Sequence, residues 1–468
     1  PHKLSQLGPE LVVGDINNDG LDDFFIGGAS GKSGELFVQQ QDGLFSKTEG
    51  PWAKDYLFED MGVLFFDADS DSDLDLYIVS GGNSIDLAKT KYQDRLYIND
   101  GNGVFTKDVN ALPKMVTSGS CVISSDFDKD GDLDLFVGGR HIPHQYPLPP
   151  RSYLLRNDST NGRVSFTDVT EEIAPEVLNA GLVTSALWID MDGDKDKELV
   201  IAGEWMPITV FDNINGKFKN ATSTYGLENT TGWWSSLIAE DFDNDGDKDL
   251  VAGNLGLNYK YQASEDESFD IYAFDYDKNN RLDIVLGYYY EGEQYPVRGR
   301  QCSSEQIPAI QYKYKDYNTF AGATLEDVYS KSNLKASLHY QAKNFASSYI
   351  ENLGNGNFKI NNLPNEAQVS SINNILSKDF NNDGNLDILT IGNLFTSEIE
   401  TPRNDASIGK LLMGDGQGNF TPLPLNRSGL FAPNDAKSSA LISTKLGDFV
   451  LVSNNNDALQ VFAVNAKK

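Results

Sequence analysis

Short apolar runs alternate along this chain with acidic turns. The clearest turn is Asp126-Phe-Asp-Lys-Asp-Gly-Asp-Leu-Asp134, preceded by Cys121-Val-Ile and followed by Leu135-Phe-Val. Apolar runs this short, bounded by turn residues, predict buried strands. The unit is therefore strand, acidic loop, strand. Carboxylates stand at loop positions 1, 3, 5 and 9 (Asp126, Asp128, Asp130, Asp134). Position 7, Asp132, offers its backbone carbonyl, and Gly131 at position 6 permits a sharp turn. Oxygen ligands spaced by two on a tight loop suit a hard cation such as Ca²⁺, which takes about six to eight of them.

The same loop returns along the chain. It recurs as Asp15, Asn17, Asp19, Leu21 and Asp23, then as Asp67, Asp69, Asp71, Asp73 and Asp75. Next come Asp190, Asp192, Asp194, Asp196 and Glu198, and Asp241, Asp243, Asp245, Asp247 and Asp249. The last two are Asp275, Asp277, Asn279, Arg281 and Asp283, and Asp379, Asn381, Asp383, Asn385 and Asp387. Ser72, Lys195 and Asn280 replace the position-6 glycine; Asn tolerates a left-handed backbone, Ser and Lys less readily. The expected cofactor is Ca²⁺ at about six or seven sites, with a structural role.

A second signature follows most loops: an apolar strand, a Gly/Asn turn, then Phe and another strand, as in Arg95–Phe105, Ile208–Phe218, Tyr349–Phe358 and Lys410–Phe420. Two hairpins per repeat make a four-stranded antiparallel sheet, and repeats of this kind predict an all-β, seven-bladed β-propeller over 1–468, with eight blades the alternative. Asp241 and Asp275 lie too close for two full blades. Asp241 and the hairpin at 349–360 are read as one blade, with the Asp275 loop and a helical, basic stretch at 298–345 inserted into it. Ser303–Tyr314 and Thr324–Lys331 read as short helices, Thr324 and Asp327 forming a cap. The basic stretch is either an interaction surface or a solvated cover. The closing unit, from Ala440 to Phe462, has lost its carboxylates and shows no outer strand.

Charge changes the picture. A formal net charge of -31 argues against nucleic acid and anionic lipid as partners. Bound divalent cations would neutralise much of it. Two cysteines, Cys121 and Cys302, make no disulfide framework, and Cys121 reads as core. No stretch predicts a membrane-spanning helix. The chain opens Pro1-His-Lys-Leu, without Met, which suggests a processed or larger protein. Calcium sites of modest affinity fill best outside a cell, so the expected location is extracellular.

The loop Asp-x-Asp/Asn-x-Asp-Gly-x-x-Asp, with its Asn-x-Gly-x-Gly-x-Phe hairpin, resembles the FG-GAP or VCBS repeat, the calcium-bearing blade of integrin-α-type propellers. Ala202-Gly-Glu-Trp-Met-Pro207, Gly232-Trp-Trp-Ser-Ser, Gly253-Asn-Leu-Gly-Leu-Asn258 and Tyr295-Pro-Val-Arg-Gly-Arg300 narrow it. Together they resemble bacterial surface proteins that join such repeats to an ASPIC/UnbV segment, akin to cartilage acidic protein. The resemblance implies a calcium-bearing propeller at a cell surface or outer membrane.

The calcium hairpins should share one end of the propeller. The long connections Gly81–Asp94, Gly139–Arg151, Glu171–Val183 and Asn393–Gly409 should lie at the other, where binding usually sits. Trp52, Trp205, Trp233 and Trp234 map there as a candidate ligand face, able to stack on sugars or anchor a protein. They could equally seal the channel. Trp188, on a strand, reads as core. Enzyme signals are thin: the carboxylates are used by the loops, four histidines form no metal pattern, and Gly27–Ser33 falls one residue short of a phosphate loop with no helix after it. The expectation is a non-enzymatic protein-interaction module in a surface assembly. The alternative is a carbohydrate-binding module or a polysaccharide lyase or hydrolase.

Overall fold

A computed structural model describes residues 2–83, 90–160, 162–354, 356–398 and 400–464. Part of the Gly81–Asp94 connection, and single residues in two other expected loops, lie outside them. Eight antiparallel sheets form. Seven are blades of one ring, because their inner strands pack side by side in closed order from Leu11–Gly14 round to Ala436–Thr444.

Blade 1 is Leu11–Gly14, Asp23–Ile26, Glu35–Gln39 and Phe45–Thr48. Blade 2 is Asp60–Phe66, Asp75–Ser80, Arg95–Asn99 and Phe105–Asp108, and blade 3 is Ser118–Ser125, Asp134–His141, Tyr153–Asn157 and Phe166–Asp168. Blade 4 runs Leu182–Ile189, Glu198–Met206, Thr209–Asn213 and Phe218–Asn220. Blade 5 joins Ser236–Glu240 and Asp249–Gly253 to the distant pair Ser348–Asn352 and Phe358–Asn362. Blade 6 is Asn374–Lys378, Asp387–Ile391, Lys410–Gly414 and Phe420–Leu423. Blade 7 has three strands among the described residues: Ala436–Thr444, Gly447–Asn454 and Gln460–Ala463.

The eighth sheet stands off the ring. Phe269–Phe274, Asp283–Tyr290, Glu293–Pro296 and Leu338–Ala342 make it, all within the excursion between the second and third strands of blade 5. The Asp275 loop belongs to this sheet. Five short helices between Arg300 and Ala336 cover it through a core that includes Ile310, Tyr314, Phe320 and Leu325. Thr324 and Asp327 form a reciprocal capping box. Much of the basic stretch is tied down: Arg298 pairs with Glu398, Arg300 donates to the Tyr314 carbonyl, and Lys343 to Asn229 at 3.1 Å.

Two sets of side chains hold blade to blade. In blades 2, 3 and 4 the amide at the end of the third strand reaches back to the preceding loop: Asn99 donates to Ile16 O, Asn157 to Ala68 O and Asn213 to Phe127 O, at 2.7, 3.0 and 3.2 Å. Near the axis, Ser120 donates to Val183 O and Thr184 to Trp234 O, both at 2.8 Å, and Asn373 to Ala436 O at 2.7 Å. The ring closes without an acidic loop in blade 7, whose first two strands are joined by the turn at 445–446. Gln39 donates to Ser443 O at 3.1 Å, Ser443 N–H donates to Asp22 at 2.9 Å, and Ser453 donates to Pro9 O at 2.8 Å.

Candidate metal centres and the channel mouth

Six acidic loops join the first and second strands of blades 1 to 6, so they share one end of the ring. The seventh tops the inserted sheet. Backbone geometry is common to all. Position 4 is left-handed in each: Asn18, Ser70, Lys129, Gly193, Asn244, Lys278 and Asn382. Position 6 is too, and Ser72 and Lys195 adopt it at φ +76° and +77°. The loops therefore keep their shape without glycine, at a cost of about 1 kcal/mol. Position 1 accepts from the position-6 N–H, as in Gly20 to Asp15 at 2.8 Å and Gly131 to Asp126 at 3.2 Å.

Position 9 ties the loop to the sheet. One oxygen of Asp23, Asp75, Asp134, Glu198, Asp249, Asp283 and Asp387 accepts the position-2 N–H. In five blades the other accepts a third-strand N–H, from Gln39, Asn99, Asn157, Asn352 or Gly414, at 2.8 to 2.9 Å. These carboxylates are buried, and burial is the main force raising them, to about 6 for Asp23 and Asp249, about 7 for Asp75 and Asp134, and about 8 for Glu198.

Oxygens from three carboxylates lie within 4.8 Å of one another in five loops: Asp67/Asp69/Asp71, Asp126/Asp128/Asp134, Asp190/Asp192/Asp194, Asp241/Asp243/Asp245 and Asp275/Asp277/Asp283. That spacing fits ligands about 2.4 Å from one central Ca²⁺. Asp69 Oδ1, Asp126 Oδ1, Asp241 Oδ1, Asp247 Oδ1 and Glu198 Oε1 are buried with no hydrogen-bond donor. Unpaired buried carboxylate oxygens are costly, and a cation is the partner this donor set fits. The Asp15 and Asp379 loops have the same turns, with Asn17 and Asn381 at position 3.

Residues 190–252 match the family model of the FG-GAP-like repeat. The match starts at position 1 of the blade-4 loop and ends past the blade-5 loop, so one FG-GAP-like unit runs from acidic loop to acidic loop. No curated protein matches the chain. Similar solved structures include the V. cholerae biofilm matrix protein Bap1, at 11% identity over 99% of this chain and 88% of that one (TM-score 0.41). BBS1N, crystallised in complex with ARL6DN, is 9% identical over 100% and 95% (TM-score 0.45), and the N-terminal domain of Nup159 is 11% identical over 99% and 90% (TM-score 0.35).

The candidate ligand face needs correction. Trp52, Trp205, Trp233 and Trp234 are 3%, 4%, 5% and 1% exposed, so none offers a ring to a sugar or partner. Trp52 packs edge-on against Phe25, Tyr97 and Phe105. Trp205 and Trp233 are covered by Phe269 from the inserted sheet, and Trp234 donates to Thr230 O at 2.8 Å. Trp188 is half-buried between Phe127 and Phe218.

Where the tryptophans meet the channel, sequence reasoning missed a buried network. Glu204 takes an ion pair from Arg140, a 2.9 Å contact from His2 Nε2 and a 3.0 Å hydrogen bond from Tyr146, which itself accepts from Trp205 Nε1. Burial opposes its ionisation, but Arg140 and His2 outweigh burial and hold the carboxyl well below the usual range. Trp205 is left-handed at φ +62°, rare for a bulky residue. The only sequence signal was Glu-Trp-Met-Pro at the end of a strand.

Proposed function

We propose that this chain is a calcium-stabilised β-propeller that works outside the cell as a protein-interaction module, in a bacterial outer-membrane or cell-surface assembly. The observation that carries the calcium reading is the set of buried, donorless carboxylate oxygens inside tight acidic loops. The cation replaces hydrophobic burial at turns too polar to pack, and its binding adds to folding stability. An extracellular location supplies calcium at levels that fill such loops. The sequence resemblance to ASPIC/UnbV-bearing surface proteins supports the same setting. The described parts of the long connections, with the inserted sheet, leave the ring at the end opposite the acidic loops, and loops on such a scaffold commonly carry recognition. The carbohydrate reading loses its main support with the tryptophans buried.

Calcium titration by calorimetry, with thermal melts in calcium and in excess EGTA, tests the first half. Purification from the native membrane fraction in mild detergent tests the second. A stoichiometric complex is expected; recovery of the chain alone would count against the assembly.

A further inference from the structure

One face of the inserted sheet is core along part of its length and open along the rest. Alternation along Asp283–Tyr290 puts Ile284, Leu286, Tyr288 and Tyr290 on the same side. Ile284 and Leu286 pack into the mouth cluster with Trp205, Trp233 and Leu255. Val285, on the other side, packs with Ile310 and Leu325 of the helices. The strand Phe269–Phe274 pairs no further than Asp270 with Gly287, and past that point the chain runs on as a two-stranded hairpin. There Tyr288 stands opposite Tyr295, and Tyr290 opposite Glu293, so these four side chains share the face that continues from Leu286. Tyr288 is 41% and Tyr290 59% exposed, and the rings of Tyr288 and Tyr295 lie 6.3 Å apart.

The charge around this face has one sign. Glu291 and Glu293 sit at the hairpin turn, and Glu265, Asp266 and Glu267 in the turn before Phe269–Phe274; all five are exposed. The second turn lies beside the hairpin, because Glu267 adds to burial and to Asp270 in pushing the Tyr289 hydroxyl above its ordinary pKa. None of the five forms an ion pair among the described residues, and Arg298, the first cation after the hairpin, is taken by Glu398. Aromatic faces beside carboxylates that have no cation of their own attract an ammonium or guanidinium, through the ring quadrupole and Coulomb force together. Tyrosine also supplies a large contact area at low cost in conformational entropy.

Building on the interaction-module reading, we propose that the face of Tyr288, Tyr290 and Tyr295 docks a partner protein through a segment rich in arginine or lysine. The cationic heads stack on Tyr288 and Tyr290 and are neutralised by Glu291, Glu293 and the Glu265–Glu267 turn. Their apolar stems extend the contact towards Tyr295. A second copy would bring a net charge of -31 to an acidic face, which disfavours it. Acidic polysaccharide is disfavoured by the same sign of charge.

A labelled peptide of alternating arginine and serine is the probe. Fluorescence anisotropy with the intact protein, in calcium and physiological salt, should show saturable binding. Tyr288→Ser with Tyr290→Ser should weaken it at least about tenfold, and Glu267→Gln with Glu293→Gln at least about threefold. Glu305→Gln with Glu326→Gln removes the same charge from the helices and should leave binding unchanged. Tyr290→Ala alone serves if the serine pair lowers the melting temperature. No saturable binding would overturn the proposal. So would binding indifferent to the tyrosines, or weakened equally by the two glutamate pairs, which is general attraction to an acidic protein. A neutral oligosaccharide whose binding needs the tyrosines would give the face to a glycan, and a dimer that the serine pair dissociates would give it to a second copy; each has the same consequence. Purification from the native membrane fraction separates this proposal from the reading beneath it. A partner retained equally by wild type and the serine pair would end the docking face and leave the interaction reading standing, whereas recovery of the chain alone would remove both.

Discussion

The two ends of the propeller solve the same problem in opposite ways. Both bury carboxylates. At the channel mouth Glu204 is surrounded by Arg140, His2 and Tyr146, and is held ionised by side chains of its own chain. At the loop end Asp69, Asp126, Glu198 and Asp241 crowd other carboxylates and leave buried oxygens without donors. A charge with a built-in partner makes a permanent joint. A charge without one leaves a joint whose donor set fits an outside cation, and a cation bound there would place the joint under the control of its surroundings.

The largest expected effect breaks the loop end alone. At calcium a hundredfold above Kd each filled site contributes about 2.7 kcal/mol, so stripping several with EGTA should lower the melting temperature by about 10 °C. An unchanged melt would remove the difference between the two ends.

Next comes the channel mouth. Glu204→Gln leaves Arg140 buried without its counter-charge and should cost about 3–5 kcal/mol. Denaturant unfolding with and without calcium should show the same loss, because no metal is involved there. A loss that calcium rescues would merge the two regions.

Proton dependence should change sign with the metal. In calcium-free buffer the carboxyls of Asp75 and Asp134, raised to about 7, and those of Asp23 and Asp249, raised to about 6, bind protons more tightly folded than unfolded. Stability should therefore rise as pH falls from about 7 towards 4, where the unfolded chain begins to take up protons as well. With calcium bound, protons compete with the cation and stability should fall over the same range. Chemical denaturation across pH, in EGTA and in calcium, reads both slopes.

The smallest effect concerns how the loops are linked. Position 4 of one loop reaches position 7 of the next: Asn18 to Asp73 at 2.6 Å, Ser70 to Asp132 at 2.8 Å, Lys129 to Asp196, and Asn244 to Asn385 at 3.4 Å. The chain of contacts breaks at Gly193, and Asp247, the next position 7, keeps a buried oxygen unpaired. Gly193→Asn fits the left-handed backbone and the open space there, and should gain roughly 0.5–1 kcal/mol in EGTA. A loss in the thermal melt would show that the link does not form.

Much of this architecture was legible because the repeat is local. The strand, loop, strand unit and its Gly/Asn hairpins carry their own pattern, and the split of blade 5 followed from loop spacing alone. Features that needed distant partners were not legible. The inserted sheet pairs Phe269–Phe274 with Leu338–Ala342, so no local alternation marked it as a four-stranded unit. Trp205 and Trp233 sit beside turns and read as exposed, yet Phe269 and Phe345 of the excursion cover Trp233. The links from position 4 to position 7 run between loops more than 50 residues apart, as in Asn18 to Asp73. His2 and Glu204 meet from opposite ends of a long stretch of chain.

The most direct test is metal content. Protein dialysed to equilibrium in buffered calcium should carry at least five calcium ions per chain, one for each carboxylate cluster, and lose them together with its thermal stability in EGTA. Fewer than one ion per chain, with an unaltered melt, would contradict the account.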